Sequence, residues 1–391
     1  MVDYKKQALA LSQAHRGKIE MQSKLPIETM ADLAVAYTPG VAEVSRVIHQ
    51  DASLAYQYTS KGNTVAVVTD GTAVLGLGDI GPEAAIPVME GKAVLFKRFA
   101  GVDAVPISLD TTDVDEIVRT IELMAPSFAG INLEDIAAPR CFEIERRLKA
   151  TLDIPVFHDD QHGTAVVVLA ALYNALKLVG KAIDEIKVVI NGGGAAGMAI
   201  TKLLLKAGVK QLLLVDVDGI ISRDASNLPE RFEEIAQVTN HEQVTGDLSV
   251  ALNDADVFIG VSAPGILKPD WIQQMADQPI IFAMANPEPE IMPEQAIEAG
   301  AYIVGTGRSD FPNQINNVLA FPGIFRGALD GRVTDITETM LIEAAKGIAL
   351  AVGDKLAVDY IIPDVFTPQL ASIVAEKVRE SAEISGKNKE S

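Results

Sequence analysis

KVVINGGGAAGMAITKLLLKAGVKQLLLVD, residues Lys187–Asp216, carries the clearest folding signal in this chain. An apolar run, Lys187–Ile190, ends at Asn191. Gly192, Gly194 and Gly197 follow in the order G-x-G-x-x-G. A helical pattern covers Met198–Ala207 and stops at Gly208. A second apolar run, Gln211–Val215, ends at Asp216. Strand, tight turn, helix, strand and acid in that order form half of a Rossmann-like, doubly wound parallel sheet.

Each residue type has a physical task in such a unit. The first glycine allows a turn closed to residues with a Cβ. The second lets the backbone approach a pyrophosphate, and the third lets helix and strand pack closely. The helix start, through Ala195 and Ala196, offers free N–H groups and a positive dipole end to phosphates. Asp216 can accept hydrogen bonds from a ribose diol and repels a 2′-phosphate. Asp218 adds a second acid, and no arginine follows until Arg223, so the pattern favours NAD over NADP. Without that context, a glycine-rich turn that binds nothing would be an equally ordinary reading.

Downstream, Val257–Val261, Ile280–Met284 and Tyr302–Gly305 are further apolar strand patterns alternating with helical ones. They extend the parallel sheet from about residue 162 to about residue 320. Upstream, Thr64–Asp70, Ala104–Asp110, Gly130–Leu133 and Pro155–Phe157 read as four more strands in a separate N-terminal α/β unit. The expected division is 1–160 and 161–391, with the second unit closing in C-terminal helices over 335–385 and a loose polar tail, GKNKES. Residues 1–21 read as a helix, and Tyr37-Thr38-Pro39-Gly40 as a turn before another starting near Val41.

Bulk composition narrows the function. The chain has 391 residues, 48% hydrophobic and 22% charged, enough for a folded core in each of two or three domains. A net charge of −20 disfavours nucleic acid or an anionic membrane as partner. One cysteine, Cys141, excludes an internal disulfide and fits a reducing, cytoplasmic setting. Thr164–Val179 is apolar but interrupted by Asn174 and Lys177, which reads as a buried helix too short for a bilayer.

Two strand ends in the N-terminal unit deliver acids: Glu134-Asp135 and Asp159-Asp160. Ligands of open parallel sheets bind beyond such carboxyl ends. Carboxylates converging there repel one another unless a cation is present, and hard oxygen ligands suit Mg²⁺ or Mn²⁺. His158 and His162 on one loop are a poor zinc signature. Lys92 falls within a helical pattern, Ile86–Arg98, beside Ala93 and Val94. Buried near another cation, its pKa would fall and it could act as a base. Taken singly, Lys92 also reads as a snorkelling surface lysine, Tyr37 as a packing residue, and Asn286, Asn316 and Asn317 as turn or cap residues.

Seven motifs then resolve these alternatives together. AYTPGVAEV around Tyr37, VTDGTAVLGLGDIGPEAAIPVMEGKAVLFK from Val68, NLEDIAAPRCFEIE from Asn132, FHDDQHGTA from Phe157, NGGGAAG from Asn191, ANPEPEI from Ala285 and NNVLAFPGIFRGAL from Asn316 stand in order along the chain. It resembles the malic enzymes of the short bacterial type over nearly its whole length. The resemblance implies oxidative decarboxylation of (S)-malate to pyruvate and CO₂ with NAD(P)⁺ and Mn²⁺ or Mg²⁺. It implies Lys92 as general base, Tyr37 as general acid, and Glu134, Asp135 and Asp160 as metal ligands. Asn286 and Asn317 take the substrate contacts, and the expected assembly is a homodimer or homotetramer. A malolactic-type enzyme that retains NAD and releases lactate is the neighbouring alternative; a dinucleotide sensor without turnover is the remote one. One departure stands out. Larger malic enzymes carry a carboxylate-binding arginine after T-D-G, where this chain has Thr72-Ala73.

Overall fold

The computed structural model describes residues 4–74 and 76–385; the polar tail GKNKES lies outside them. Four helices, α1 (Tyr4–His15), α2 (Met30–Ala36), α3 (Val41–Gln50) and α4 (Ala55–Tyr58), form an N-terminal arm. The expected helix over 1–21 is shorter than its pattern, because α1 ends at His15 and Gly17 takes a positive φ of 107° just beyond.

The N-terminal sheet alternates β1 (Thr64–Thr69), α5 (Pro82–Ala100), β2 (Asp103–Ser108), α6 (Val114–Met124), β3 (Gly130–Leu133), α7 (Arg140–Thr151) and β4 (Val156–His158). Its four strands are all parallel in the order β2-β1-β3-β4. β1 is buried at every position, as a parallel strand covered on both faces requires. A π-helical turn, Asp159–Gly163, then runs directly into α8 (Thr164–Val179).

The second sheet starts with β5 (Lys187–Asn191), α9 (Ala195–Ala207), β6 (Gln211–Asp216) and β7 (Gly219–Ile220). Short helices α10 (Glu233–Val238), α11 (Leu248–Ala251), α12 (Pro269–Ile272) and α13 (Pro293–Glu298) connect β8 (Val257–Gly260), β9 (Ile280–Ala283) and β10 (Ile303–Thr306). The order is β10-β9-β8-β5-β6-β7, doubly wound as expected. The exception to parallel pairing is β7, a two-residue hairpin return antiparallel to β6. Chain order reverses at β5, so the crevice between the ends of β5 and β8 is the topological switch point.

Helices α14 (Phe321–Asp330), α15 (Glu338–Leu350) and α16 (Leu370–Ser385) close the fold. The 335–385 region is thus two α-helices separated by a largely irregular stretch that holds one 3-10 turn, Gly353–Lys355. Asn174 of α8 donates to Ala349 O and Ile361 O, both at 2.9 Å, and ties that stretch to the core. Eleven of the sixteen α8 residues are buried, which identifies it as a core helix. With the π-turn the helical run reaches 21 residues, Asp159–Val179, long and apolar enough to cross a membrane, contrary to the length expected; 67% of it is buried inside the protein. One apolar cluster joins Val65, Val67 and Phe157 of the first sheet, Val166–Leu172 of α8, and Val188 and Ile190 of the second. The two sheets are therefore held against each other through α8.

Candidate active site

The cage of acids forms where β3 and β4 end. Ligand oxygens of Glu134, Asp135 and Asp160 all lie within 4.8 Å of one another. Backbone and side chains lock this arrangement. Asn132 Nδ2 donates to Glu134 Oε2 at 2.8 Å, and Asp135 N donates to Asp160 Oδ2 at 2.8 Å. Asp135 sits at φ 54°, a left-handed conformation uncommon outside glycine, which the surrounding structure must enforce.

Lys92 enters from α5. It is 8% exposed, 2.6 Å from Asp159 Oδ2 and 2.8 Å from Glu134 Oε1. Its ammonium also lies 4.3 Å from the centre of the Phe321 ring. Asn317 Nδ2 donates to the same Asp159 oxygen at 2.6 Å. A residue just before α14 thus meets one following β4, and the site spans both units.

The electrostatics follow from one ammonium facing four carboxylates. Burial alone would push Lys92 down, but Asp159, Glu134 and Asp160 more than reverse this and push it up. The lowering expected from a like-charge neighbour is therefore absent among the protein groups; that neighbour would have to be a bound cation. Burial pushes Asp159 up to about 7 against the pull of Lys92. Burial and the neighbouring acids likewise raise Glu134, Asp135 and Asp160. Asp135 Oδ2 and Asp159 Oδ1 are buried without a hydrogen-bond partner. Such orphaned anionic oxygens are costly unless a cation completes them, and an all-carboxylate donor set fits Mg²⁺ or Mn²⁺. His158 is fully buried and held down near 4, chiefly by burial, so it contributes no charge there. His162 pairs instead with Glu145 at 2.7 Å. Burial pushes Glu145 up, but His162 and Lys149 overcome it and hold the carboxyl near 2.

The dinucleotide turn closes as its glycines demand. Gly192 adopts φ 125°. A Cβ on Gly197 would stand 1.7 Å from Gly192 O, so turn and α9 touch backbone to backbone. Ala195 and Ala196 open α9, with Gly194 as its N-cap. Asp216 ends β6 and accepts a long hydrogen bond, 3.4 Å, from Gly193 N. Asn191 Nδ2 donates to Ser262 Oγ at 2.6 Å, bridging β5 and the end of β8.

Two expected residues make no hydrogen bond to the cage acids among the described residues. Asn286 is exposed at the end of β9, where Pro287 beside it faces Gly76 of the first unit across the junction. Tyr37 closes α2 and is 67% exposed, with no hydrogen bond from its hydroxyl among the described residues. Sequence reasoning missed Glu290, which is fully buried and accepts from Ser262 N and Ala285 N, both at 3.0 Å. It fixes the loop carrying Asn286. In the sequence it is one of two acids in ANPEPEI, with nothing to mark it as the buried one. Asp159 was visible as an acid but not as the partner of Lys92. Arg140 donates to Asp70 Oδ2 at 3.0 Å and Thr72 Oγ1 at 2.9 Å, bringing a cation to the segment where the arginine of larger relatives is missing.

A phosphate-binding turn facing a buried lysine–carboxylate centre across a domain junction is the layout of a dinucleotide-dependent oxidoreductase. Family models describe residues 16–149 as a malic enzyme N-terminal domain and 161–383 as a malic enzyme NAD-binding domain. The chain is 58% identical over 384 residues to a bifunctional malic/malolactic enzyme of Bacillus subtilis (strain 168), covering 98% of this chain and 94% of that one. It is 60% identical over 371 residues to an NAD-dependent malic enzyme of Geobacillus stearothermophilus, covering 95% and 77%. The crystal structure of an NAD-dependent malic enzyme from Thermotoga maritima, 51% identical, matches with a TM-score of 0.92 over 97% of this chain and 99% of that one. The chain belongs to the malic enzyme family.

Proposed function

We propose that this protein oxidatively decarboxylates (S)-malate to pyruvate and CO₂, with NAD⁺ as hydride acceptor and Mn²⁺ or Mg²⁺ in the carboxylate cage. The observation that carries the reading is Lys92 seated on Asp159 beside Glu134, Asp135 and Asp160, with Asn317 reaching the same carboxylate from the NAD-binding unit. When bound, the divalent ion supplies Lewis acidity at the C2 oxygen and the dinucleotide takes the C2 hydride. Lys92 accepts the C2 hydroxyl proton. With Glu134 and Asp160 committed to a cation, fewer free carboxylates hold that ammonium in place, and the neutral amine becomes accessible. Asn317 and Asn286 orient the substrate through amide donors. Tyr37 protonates C3 of the enolate left by CO₂.

Tyr37 needs a way into the cage, and the arm that carries it supports one. Residues 4–63 contain no buried residue, yet they expose Leu9, Leu11, Leu25, Ile27, Met30, Leu33 and Val35. This many exposed large apolar side chains on one arm supports an interaction face. A homodimer, or a homotetramer built on it, covers the arm and delivers Tyr37 to the second copy's cage. The single, buried Cys141 suits a cytoplasmic setting.

The test is direct: incubate malate with NAD⁺ or NADP⁺, with and without Mn²⁺, and identify the carbon product. Pyruvate with bulk NADH supports the proposal. Lactate without bulk NADH selects the malolactic reading, which the name of the Bacillus subtilis relative keeps in view.

A further inference from the structure

We infer that Arg231 sets how strictly the dinucleotide site discriminates at the ribose 2′-position, and that it admits a 2′-phosphorylated dinucleotide beside the unphosphorylated one. This rests on the dinucleotide reading above and goes beyond it.

Asp216 stands where a parallel dinucleotide fold reads the ribose diol. A lone carboxylate there would reject a 2′-phosphate by repulsion. This one is not alone. Arg231 Nη2 lies 3.0 Å from Asp216 Oδ2. The guanidinium sits 4.5 Å from the centre of the Phe232 ring. Phe232 in turn packs against the glycine turn: a Cβ on Gly193 would stand 2.5 Å from its Cζ and 3.0 Å from Asp216 Oδ2. Turn, acid, ring and guanidinium are therefore one contact group at the mouth of the site.

The exposures differ in a telling way. The Asp216 side chain is 16% exposed and that of Arg231 47%. The acid is the more buried member of the pair and the cation the more exposed one. A guanidinium carries five N–H donors, and the Asp216 contact uses one of them. No other hydrogen bond from Arg231 is seen among the described residues. Arg231 also borders a cavity of about 410 Å³ with Met198, Lys202 and Glu234, so its outer edge is not packed against protein on that side. The pair thus presents both chemistries: carboxylate oxygen for a diol, and a planar donor fork for a phosphate.

The experiment is calorimetric titration of metal-free protein, without malate, with NAD⁺ and with NADP⁺. Wild-type protein should bind NAD⁺ more tightly and NADP⁺ measurably. Arg231→Ala should weaken NADP⁺ about tenfold, the loss of one partly exposed charge-assisted bond, and NAD⁺ much less. Asp216→Ser, which frees the guanidinium, should reverse the preference. Arg231→Lys should recover part of the NADP⁺ affinity, and NADP⁺ binding should fall more steeply with salt in wild type than in Arg231→Ala. Equal effects of Arg231→Ala on both dinucleotides, or none on NADP⁺, would overturn the inference while leaving the dinucleotide site intact. Absence of NAD⁺ binding by wild type would instead overturn the underlying reading.

Discussion

Replacing Lys92 tests the centre most severely. The ammonium is almost fully buried and lies within 2.8 Å of two carboxylates, Asp159 and Glu134. Lys92→Met keeps most of the side-chain volume against Phe321 and removes the charge. Breaking a buried ion pair from one side destabilises by about 3–5 kcal/mol, because the surviving charge is left without a partner. Here part of that loss is recoverable. Asp159 is already pushed up to about 7, so it can take a proton instead. The stability loss should therefore approach the upper figure above pH 8 and shrink toward pH 6, by up to about 1.4 kcal/mol for each unit over which the orphaned carboxylate titrates. Catalysis should fail separately. Removing a general base lowers turnover by about 10²–10⁴. Lys92→Arg divides the two effects, since arginine keeps the charge but cannot give up its proton. It should restore much of the melting temperature and none of the turnover. Malate oxidation followed by NADH absorbance, with thermal melts at both pH values, reads both quantities. An Arg variant that oxidises malate, or a Met variant within about tenfold of wild-type turnover, would refute the base assignment.

Other outcomes follow from the same geometry. The carboxyls of Glu134, Asp135, Asp159 and Asp160 all sit above their unfolded values, so metal-free protein holds protons that the unfolded chain releases. That stability is complete below about pH 4 and is lost as pH rises through the folded values, about 7 for Asp159. EDTA-treated protein should melt higher at about pH 6 than at about pH 8, and Mn²⁺ should raise the melting temperature most at the higher pH; a metal shift that grows toward acid would contradict the cage. Tyr37→Phe should spare oxaloacetate reduction while abolishing enolpyruvate protonation, and equal loss of both half-reactions would count against its role. If Tyr37 acts across the dimer, mixing Tyr37→Phe with Lys92→Met subunits should restore part of the turnover; no recovery after subunit exchange would place both groups in one chain. Gly197→Ala forces a Cβ into Gly192 O and should cost about 1–3 kcal/mol, with weaker NAD⁺ binding in titration.

The features legible in the sequence were those written in local periodicity. β5, the glycine turn and β6 show as apolar runs punctuated by Gly192 and Asp216, because a fully buried parallel strand admits little else. The acids were legible because each ends a strand, Glu134 after β3 and Asp159 after β4. The electrostatic sign at Lys92 was not. Helical spacing places Lys92 within α5 beside Ala93 but leaves a surface lysine possible and does not show which charges wait there, and its partner Asp159 lies 67 residues away. The same distance effect hid Arg231. It lies 15 positions after Asp216, beyond the β7 return and a long loop, so counting arginines immediately after the acid could not find it. Glu290 escaped for a different reason: its ligands are the backbone N–H groups of Ser262 and Ala285, which leave no trace in side-chain pattern.

The exposed arm and the exposed Tyr37 constrain each other. A positioned phenol protonates a carbon most effectively where bulk water is excluded, and Tyr37 in a single chain faces solvent. The arm is tied to its own chain at Lys18, Lys61 and Asn63, yet it leaves Leu9, Leu11, Leu25 and Met30 exposed. On the proposed role of Tyr37, covering the arm with a second copy would answer both needs at once, because the exposed apolar side chains and Tyr37 lie on the same arm. The cage of carboxylates and the dinucleotide turn, by contrast, are complete within one chain. Dilution should therefore separate the partial reactions: dinucleotide and metal binding persist in a monomer, whereas proton delivery to C3 is lost with the dimer. Full pyruvate formation by a monomer verified in solution would break this link and require Tyr37 to fold back within its own chain.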